Sequence, residues 1–255
     1  MPTKKTAPSS AELQELLQAG VHFGQRTQRW NPKMAPYIFA ARGGVHIIDL
    51  IQTADRLQVA LKYIEEQTAN GKTILFVSTK RQAKSIVADA AKRSGMPYVT
   101  YRWLGGMLTN WNTISTRIRH LKQLETGRED GSWDKLTKKE KLLRDVKITK
   151  LSKVFDGVRD LEKAPDLMFI VDVPREEIAI QEAHTLKIPI IAMVDTNANP
   201  DGIDFPIPAN DDAIKSIHLI VNKIADAASA GHAQYVAKTP TKEELDESKP
   251  NADEK

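Results

Sequence analysis

Three short runs of consecutive apolar residues stand out along the chain, at residues 73–78 (TILFVS), 167–172 (LMFIVD) and 188–195 (IPIIAMVD). None of them alternates between apolar and polar residues, which is typical of strands buried on both faces of a parallel sheet. Residues 98–101 and 205–208 predict two shorter strands.

Apolar residues at helical spacing predict helices between and after these strands, at 53–69, 81–94, 176–187 and 211–230. The last helix is opened by the sequence NDD, which offers a cap. Strands that alternate with helices predict an α/β fold with a parallel sheet flanked by helices. Near the start of the chain, YIFAARGGVHII predicts a β-hairpin that turns at Gly43 and Gly44.

Residues 107–162 interrupt this rhythm, because their apolar residues recur every three or four positions and no buried-strand run occurs among them. Two such series predict an antiparallel coiled-coil hairpin: Met107, Trp111, Ile114, Ile118 and Leu121, then Leu151, Val154, Val158 and Leu161. The sequence ETGREDGSWDKLT would form the turn between its arms. Residues 117–162 carry thirteen Lys or Arg and nine Asp or Glu. This excess of positive charge fits either a basic surface that binds a partner or an ordinary solvated helical surface.

These patterns divide the chain into one discontinuous α/β domain at 11–106 and 163–232, with the helical insert at 107–162. The first ten residues and residues 233–255 contain prolines and charges but no packing pattern, which predicts a flexible N-terminus and a disordered C-terminal tail.

Composition narrows the class of protein. The absence of cysteine excludes disulfides, thiolate metal sites and cysteine nucleophiles. No apolar run approaches the roughly 18 residues of a membrane helix, and no secretory signal is recognisable, so we expect a cytoplasmic protein without a membrane partner. The net charge of +4 is too small to identify a nucleic-acid partner by itself.

Motifs for enzymatic chemistry are weak. NGKT at 70–73 resembles the end of a phosphate-binding loop, but Glu66 stands where that loop needs glycine, and a strand follows. In DTNANPDGIDFP, Pro200 and Pro206 occupy the positions where a calcium loop needs glycine and glutamate. The six histidines lack the spacing of a zinc site, so we expect no metal and no cofactor, with His22 left open. Only the predicted topology supports an alternative: an enzyme that holds a phosphate or nucleotide at Lys80 and Arg81, where a strand ends.

Longer stretches of the sequence resemble a known family. They include LLQAGVHFGQRTQRWNPKMAPYIFAARGGVHIIDL, ILFVSTKRQA, YRWLGGMLTNW and VDTNANPDGIDFPIPANDDAIKSI, and they follow one another in order over residues 12–230. In these runs the chain is similar to the bacterial ribosomal protein S2 family of the small subunit. One departure is Gln25, where family members often have a second histidine.

The resemblance implies a flavodoxin-like, Rossmann-like α/β domain with an inserted coiled-coil hairpin and no catalytic role. It also implies binding to small-subunit ribosomal RNA and to other ribosomal proteins, including ribosomal protein S1. We expect the protein to be ribosome-bound and not to form a homo-oligomer.

With RNA as the implied partner, tryptophans beside cations suggest where contacts occur, because aromatic rings stack on unpaired bases and cations neutralise phosphates. The predicted RNA-binding residues lie in RTQRWNPKM, STKRQ and RWLGGMLTN: Arg26, Arg29, Trp30, Lys33, Lys80, Arg81, Arg102, Trp103 and Asn110. For Trp103 and Trp111 a packing role remains open, and Trp111 also lies on the apolar stripe of the first predicted insert helix.

Overall fold

The computed structural model describes residues 9–238, which form seven α-helices and eight strands. The helices are α1 (Ser10–Gln18), α2 (Leu50–Thr68), α3 (Lys84–Arg93), α4 (Trp111–Glu129), α5 (Lys138–Phe155), α6 (Glu177–Leu186) and α7 (Ile214–Lys238). The strands are β1 (Phe23–Arg26), β2 (Ile38–Arg42), β3 (Val45–Ile48), β4 (Ile74–Val77), β5 (Tyr98–Val99), β6 (Leu167–Val171), β7 (Ile190–Val194) and β8 (Phe205–Pro208).

The main sheet has five parallel strands in the order β5-β4-β6-β7-β8. Every residue of β4, β6 and β7 is buried, because helices cover both faces of the sheet. One core packs α4, α5 and α6 against one face, and a second packs α2, α3 and α7 against the other. The predicted α/β fold with a helix-flanked parallel sheet is confirmed. The strand order changes direction between β4 and β6, which creates a crevice at their carboxyl ends.

A second sheet pairs β1, β3 and β2 in antiparallel order. Gly43 and Gly44 join β2 to β3 with φ values of +59° and +76°, the positive angles that a tight two-residue hairpin requires of both central residues. The small sheet rests on the loop after β7: Gly24 leaves no room for a side chain beside Thr196, and Gln25 N–H donates to the Thr196 hydroxyl at 2.8 Å.

The insert contains two contacting helices, α4 and α5, but the predicted coiled coil is not confirmed. In α4 the predicted spacing matches the buried residues Ile114, Ile118 and Leu121. The second helix differs from the prediction, because a Thr137–Glu140 capping box starts it early and it ends at Phe155.

After α5 the chain passes close to β5. A side chain on Gly157 would collide with the carbonyl oxygen of Tyr98, so glycine is required where the chain that follows Phe155 approaches this strand. Val158 lies in a short 3-10 helix and Leu161 in a loop, so the predicted series does not run along one helix. Val158 is nonetheless buried, and Leu151, Val154 and Leu161 pack, partly buried, against the core that contains Ile148 and Phe155.

The ends of the described chain extend beyond the predicted domain limits. α1 begins at Ser10, stabilised by a capping box between Ser9 and Glu12. α7 continues to Lys238, and Gln234 on it donates to the Glu65 carboxylate at 2.8 Å. Residues 239–255, which hold most of the predicted tail, lie outside the described residues, as do residues 1–8. Between residues 9 and 238, no helix has the length and apolar character that a bilayer span demands.

Candidate nucleic-acid interface

Four of the predicted RNA-binding residues follow parallel strands of the main sheet at their carboxyl ends, which face one edge of the sheet. Lys80 and Arg81 follow β4, and Arg102 and Trp103 follow β5. The segment that contains Trp30 reaches the same edge over β7, where Asn31 N–H donates to the Thr196 carbonyl at 2.8 Å.

The Trp30 segment is open to solvent on one side. Arg26 and Arg29 are exposed, and Trp30 is 40% exposed with its ring centroid 5.2 Å from that of His46. His46 therefore supports the indole from behind and leaves part of it accessible. Lys33 forms an exposed salt bridge with Asp201.

Lys80 has a different environment from its exposed neighbour Arg81. It is only 6% exposed, and its ammonium lies 2.6 Å from Asp211, 2.7 Å from Asp212 and 3.3 Å from Asp172. Burial lowers the pKa of Lys80, but the attraction and hydrogen bonds of these carboxylates outweigh it and raise the pKa above its usual value. The ammonium of Lys80 is thus paired with carboxylates of the chain itself, and we leave this residue out of the proposed RNA surface.

Two of the carboxylates that contact Lys80, Asp211 and Asp212, form with Asp195 a group that could hold a metal ion. Ligand oxygens of Asp195, Asp211 and Asp212 lie within 4.8 Å of one another. The chain itself already binds two of these carboxylates, since the Gln25 side-chain amide donates hydrogen bonds to Asp195 at 3.1 Å and to Asp212 at 2.5 Å. Burial and the neighbouring Asp195 charge raise the pKa of Asp211 to about 7.

Sequence reasoning missed this cluster because its members come from distant loops. The sequence NDD was assigned to helix capping. In the structure the Asn210 side chain accepts from the amides of Asp212 and Ala213 at 2.9 and 3.1 Å, in the turn before α7 begins, and Asp211 and Asp212 contact Lys80.

The RWLGGMLTNW loop wraps around one carboxylate, that of Glu182 on α6. Its oxygens accept from the Trp103 indole N–H at 3.0 Å and from three backbone N–H groups, those of Gly106 (2.8 Å), Leu108 (2.9 Å) and Thr109 (3.0 Å). Burial raises the pKa of Glu182, but these hydrogen bonds together outweigh it and hold the pKa below its usual value. Trp103 is therefore a buried donor, and we leave it out of the proposed RNA surface as well.

The other notable residues of this loop have distinct structural environments. Gly106 has a φ of +83°, which favours glycine and lets its N–H point at Glu182. Trp111 is half-buried, and its indole N–H donates to the Glu162 carbonyl at 3.3 Å, which joins the two ends of the insert. Arg102 and Asn110 are exposed on the outer side of the loop.

Comparisons with known proteins agree with the resemblance in the sequence. The family model described as "Ribosomal protein S2" matches residues 16–231. The "Small ribosomal subunit protein uS2" of Picosynechococcus is 54% identical over 225 residues, covering 88% of each chain. The protein of that name from Nostoc punctiforme is 53% identical, covering 88% of this chain and 86% of its own. "Small ribosomal subunit protein uS2c" of Rhodomonas salina is 53% identical, covering 86% of this chain and 90% of its own.

Proposed function

Because the chain belongs to the ribosomal protein S2 family, whose members are structural proteins of the small ribosomal subunit and not enzymes, we propose that it binds ribosomal RNA there. The binding surface is the strand-end edge of the sheet, and its residues are Arg26, Arg29, Trp30, Lys33, Arg81, Arg102 and Asn110. We place this activity on the cytoplasmic ribosome.

The observation that carries the proposal is a set of arginines without acidic partners. Arg26, Arg29, Arg81 and Arg102 are exposed, and none of them forms a salt bridge with another residue between 9 and 238. Guanidinium groups that lack carboxylate partners are suited to phosphate, which they contact with two parallel hydrogen bonds. Lys33 would have to exchange Asp201 for a phosphate to join them.

Trp30 adds a stacking surface to these cations. Its indole is backed by His46 and partly exposed, in the segment that also carries Arg29 and Lys33, so an unpaired base has a ring on which to stack.

The strand-end edge of the sheet gives less support to the alternative function, an enzyme that binds a phosphate ligand. Lys80, which that alternative needs for a phosphate, is held by three Asp residues. The backbone N–H and hydroxyl of Thr79 both donate to Glu176 at 2.6 Å. Of the two cations that this alternative needs, Lys80 is therefore engaged by the chain's own carboxylates, and only Arg81 is left for a phosphate.

We also propose contacts with neighbouring ribosomal proteins, including ribosomal protein S1. An apolar cleft of about 340 Å³ lies between α1 and the small sheet, lined by residues such as Leu17, Phe39 and Ile51 and by no Lys or Arg. Phe39 is 76% exposed beside it. An exposed apolar cleft without cations suits a protein surface better than RNA.

Co-sedimentation of the tagged chain with ribosomal particles at low and high salt tests the proposal. We expect stoichiometric recovery with the small subunit, weakened as salt rises because phosphate contacts release counterions. A chain that sediments slowly and free at both salt concentrations would contradict the proposed function.

A further inference from the structure

The crevice at the reversal of strand order in the main sheet is lined by residues that follow three strands. Thr79 follows β4, Tyr101 and Arg102 follow β5, and Arg175 follows β6. Together with Lys84 at the start of α3, they line a cavity of about 490 Å³. In open α/β sheets, the crevice at this reversal is where ligands bind, and the volume lies within the range of pockets that bind small ligands.

Positive charge dominates this crevice. Lys84, Arg102 and Arg175 line it, and none of the three forms a salt bridge with a residue in the described range 9–238. Arg175 is oriented by its Nε–H, which donates to the Thr79 hydroxyl at 3.0 Å. Three cations that line one crevice and form no salt bridge are suited to an anion such as a phosphate group.

Glu176 is the one carboxylate in the lining, and its side chain is engaged by Thr79. It is buried, and it accepts both the backbone N–H and the hydroxyl of Thr79 at 2.6 Å. Burial raises the pKa of Glu176 above its usual value, which further reduces its opposition to an anionic ligand.

An aromatic ring lies beside the cations. Tyr101 is 52% exposed, and the Lys84 ammonium lies 5.3 Å from its ring centroid. Trp103 also lines the cavity, but its indole N–H is bound to Glu182, so Tyr101 is the ring available for stacking. An exposed ring next to unpaired cations matches the two parts of a nucleotide, its base and its phosphate.

We propose that this crevice binds one nucleotide unit, with its base stacked on Tyr101 and its phosphate contacted by Lys84, Arg102 and Arg175. The inference rests on the proposed function, since an unpaired nucleotide of the bound RNA supplies this chemistry. A free nucleoside monophosphate supplies the same chemistry, and the test separates the two sources.

The test measures binding of a fluorescently labelled decauridylate to the full chain, with 5′-UMP and inorganic phosphate as competitors. Tyr101→Ala is expected to weaken decauridylate binding by about fivefold or more, because a stacked base contributes about 1 to 3 kcal/mol. Tyr101→Phe keeps the ring and is expected to bind like the unaltered chain.

The cations are tested through salt dependence. Arg102→Gln is expected to reduce the slope of log affinity against log salt by about 0.7 for a single strand. The matched control is Lys72→Gln, an exposed lysine that precedes β4 and so lies at the opposite edge of the sheet. It is expected to leave both affinity and slope unchanged.

The competitors identify the ligand. 5′-UMP should displace decauridylate better than inorganic phosphate does, because only the nucleotide carries a base. Tighter binding of decauridylate than of 5′-UMP supports RNA as the source, and tighter binding of 5′-UMP supports a free nucleotide.

Two results would overturn the inference. One is that Tyr101→Ala and Arg102→Gln bind like Lys72→Gln, and the other is that phosphate competes as well as 5′-UMP. If the unaltered chain still co-sediments with the small subunit, only the crevice assignment fails. If it does not, the proposed function fails too.

Discussion

The indole of Trp103 donates its N–H to the Glu182 carboxylate at 3.0 Å, a bond between residues 79 positions apart in the chain. Around the same carboxylate converge three backbone N–H groups of the loop that carries Trp103. The loop between β5 and the insert is therefore held to α6 by hydrogen bonds to one side chain, that of Glu182. Its conformation decides where Arg102 and Asn110 face.

Replacing this anchor should destabilise the protein. In Glu182→Gln the new amide presents N–H groups to donors that need acceptors, so we expect the free energy of unfolding to fall by about 2 to 3 kcal/mol. Denaturant unfolding measures the change. Glu177→Gln is the control, because Glu177 is exposed on the same helix, and we expect it to change stability by less than about 0.5 kcal/mol. Equal effects of the two substitutions would contradict the anchoring role.

The same anchor predicts a pH dependence. The folded-state pKa of Glu182 lies below the ordinary value of 4.5, so its charge stabilises the fold fully above that value. The contribution is lost as the pH falls through the lowered pKa of the folded state. The stability difference between the unaltered chain and Glu182→Gln should hence be constant at neutral pH and shrink in the acid range. A difference independent of pH down to acid unfolding would show that the carboxylate charge contributes nothing.

Lys80 and Arg81 should behave oppositely although they are adjacent. Lys80→Met leaves Asp211, which is 2% exposed, without its counter-charge, and we expect a loss of about 3 to 5 kcal/mol of stability. Arg81→Gln is the matched control, since Arg81 is exposed and should affect stability by less than about 0.5 kcal/mol. Thermal unfolding of both variants measures these two changes in stability. If Lys80→Met unfolds like the unaltered chain, the buried ion pairs are not structural.

The apolar cleft predicts a variant that affects protein partners and not RNA. Phe39→Ser removes an exposed ring, so the fold and the salt slope of RNA binding should be unchanged, while recovery of ribosomal protein S1 with the particles should fall. The control is Val59→Ser on α2, another exposed apolar residue, which does not line the cleft. Undiminished recovery of that protein with Phe39→Ser would remove the cleft from its binding surface.

The parts of the fold that the sequence predicted correctly are those with a local periodic signal. β4, β6 and β7 are continuous apolar runs, the pattern that is typical of strands buried on both faces of a parallel sheet. The hairpin at Gly43 and Gly44 was equally readable, because few residues other than glycine tolerate positive φ at both turn positions.

The parts that were missed depend on contacts distant in sequence. Two apolar series compete in α5: Leu142, Leu143 and Val146 are exposed, while Ile148 and Phe155 are buried. The helix ends at Phe155, and the residues that follow approach β5 so closely that Gly157 has no room for a side chain beside Tyr98. The bond from Lys80 to Asp211 spans 131 positions, so a lysine that reads as a phosphate ligand in the sequence is an internal cation in the structure.

RNA binding through the exposed strand-end arginines is the central claim, and reconstitution tests it most directly. Small subunits depleted of the protein would be supplied with the unaltered chain or with a variant in which Arg26, Arg29 and Arg81 are all glutamine, at about 50 mM and about 200 mM salt. We predict that the unaltered chain is incorporated stoichiometrically. The triple variant should be incorporated less, most visibly at the higher salt, while folding normally by circular dichroism. Equal incorporation of the two chains at both salt concentrations would contradict the account.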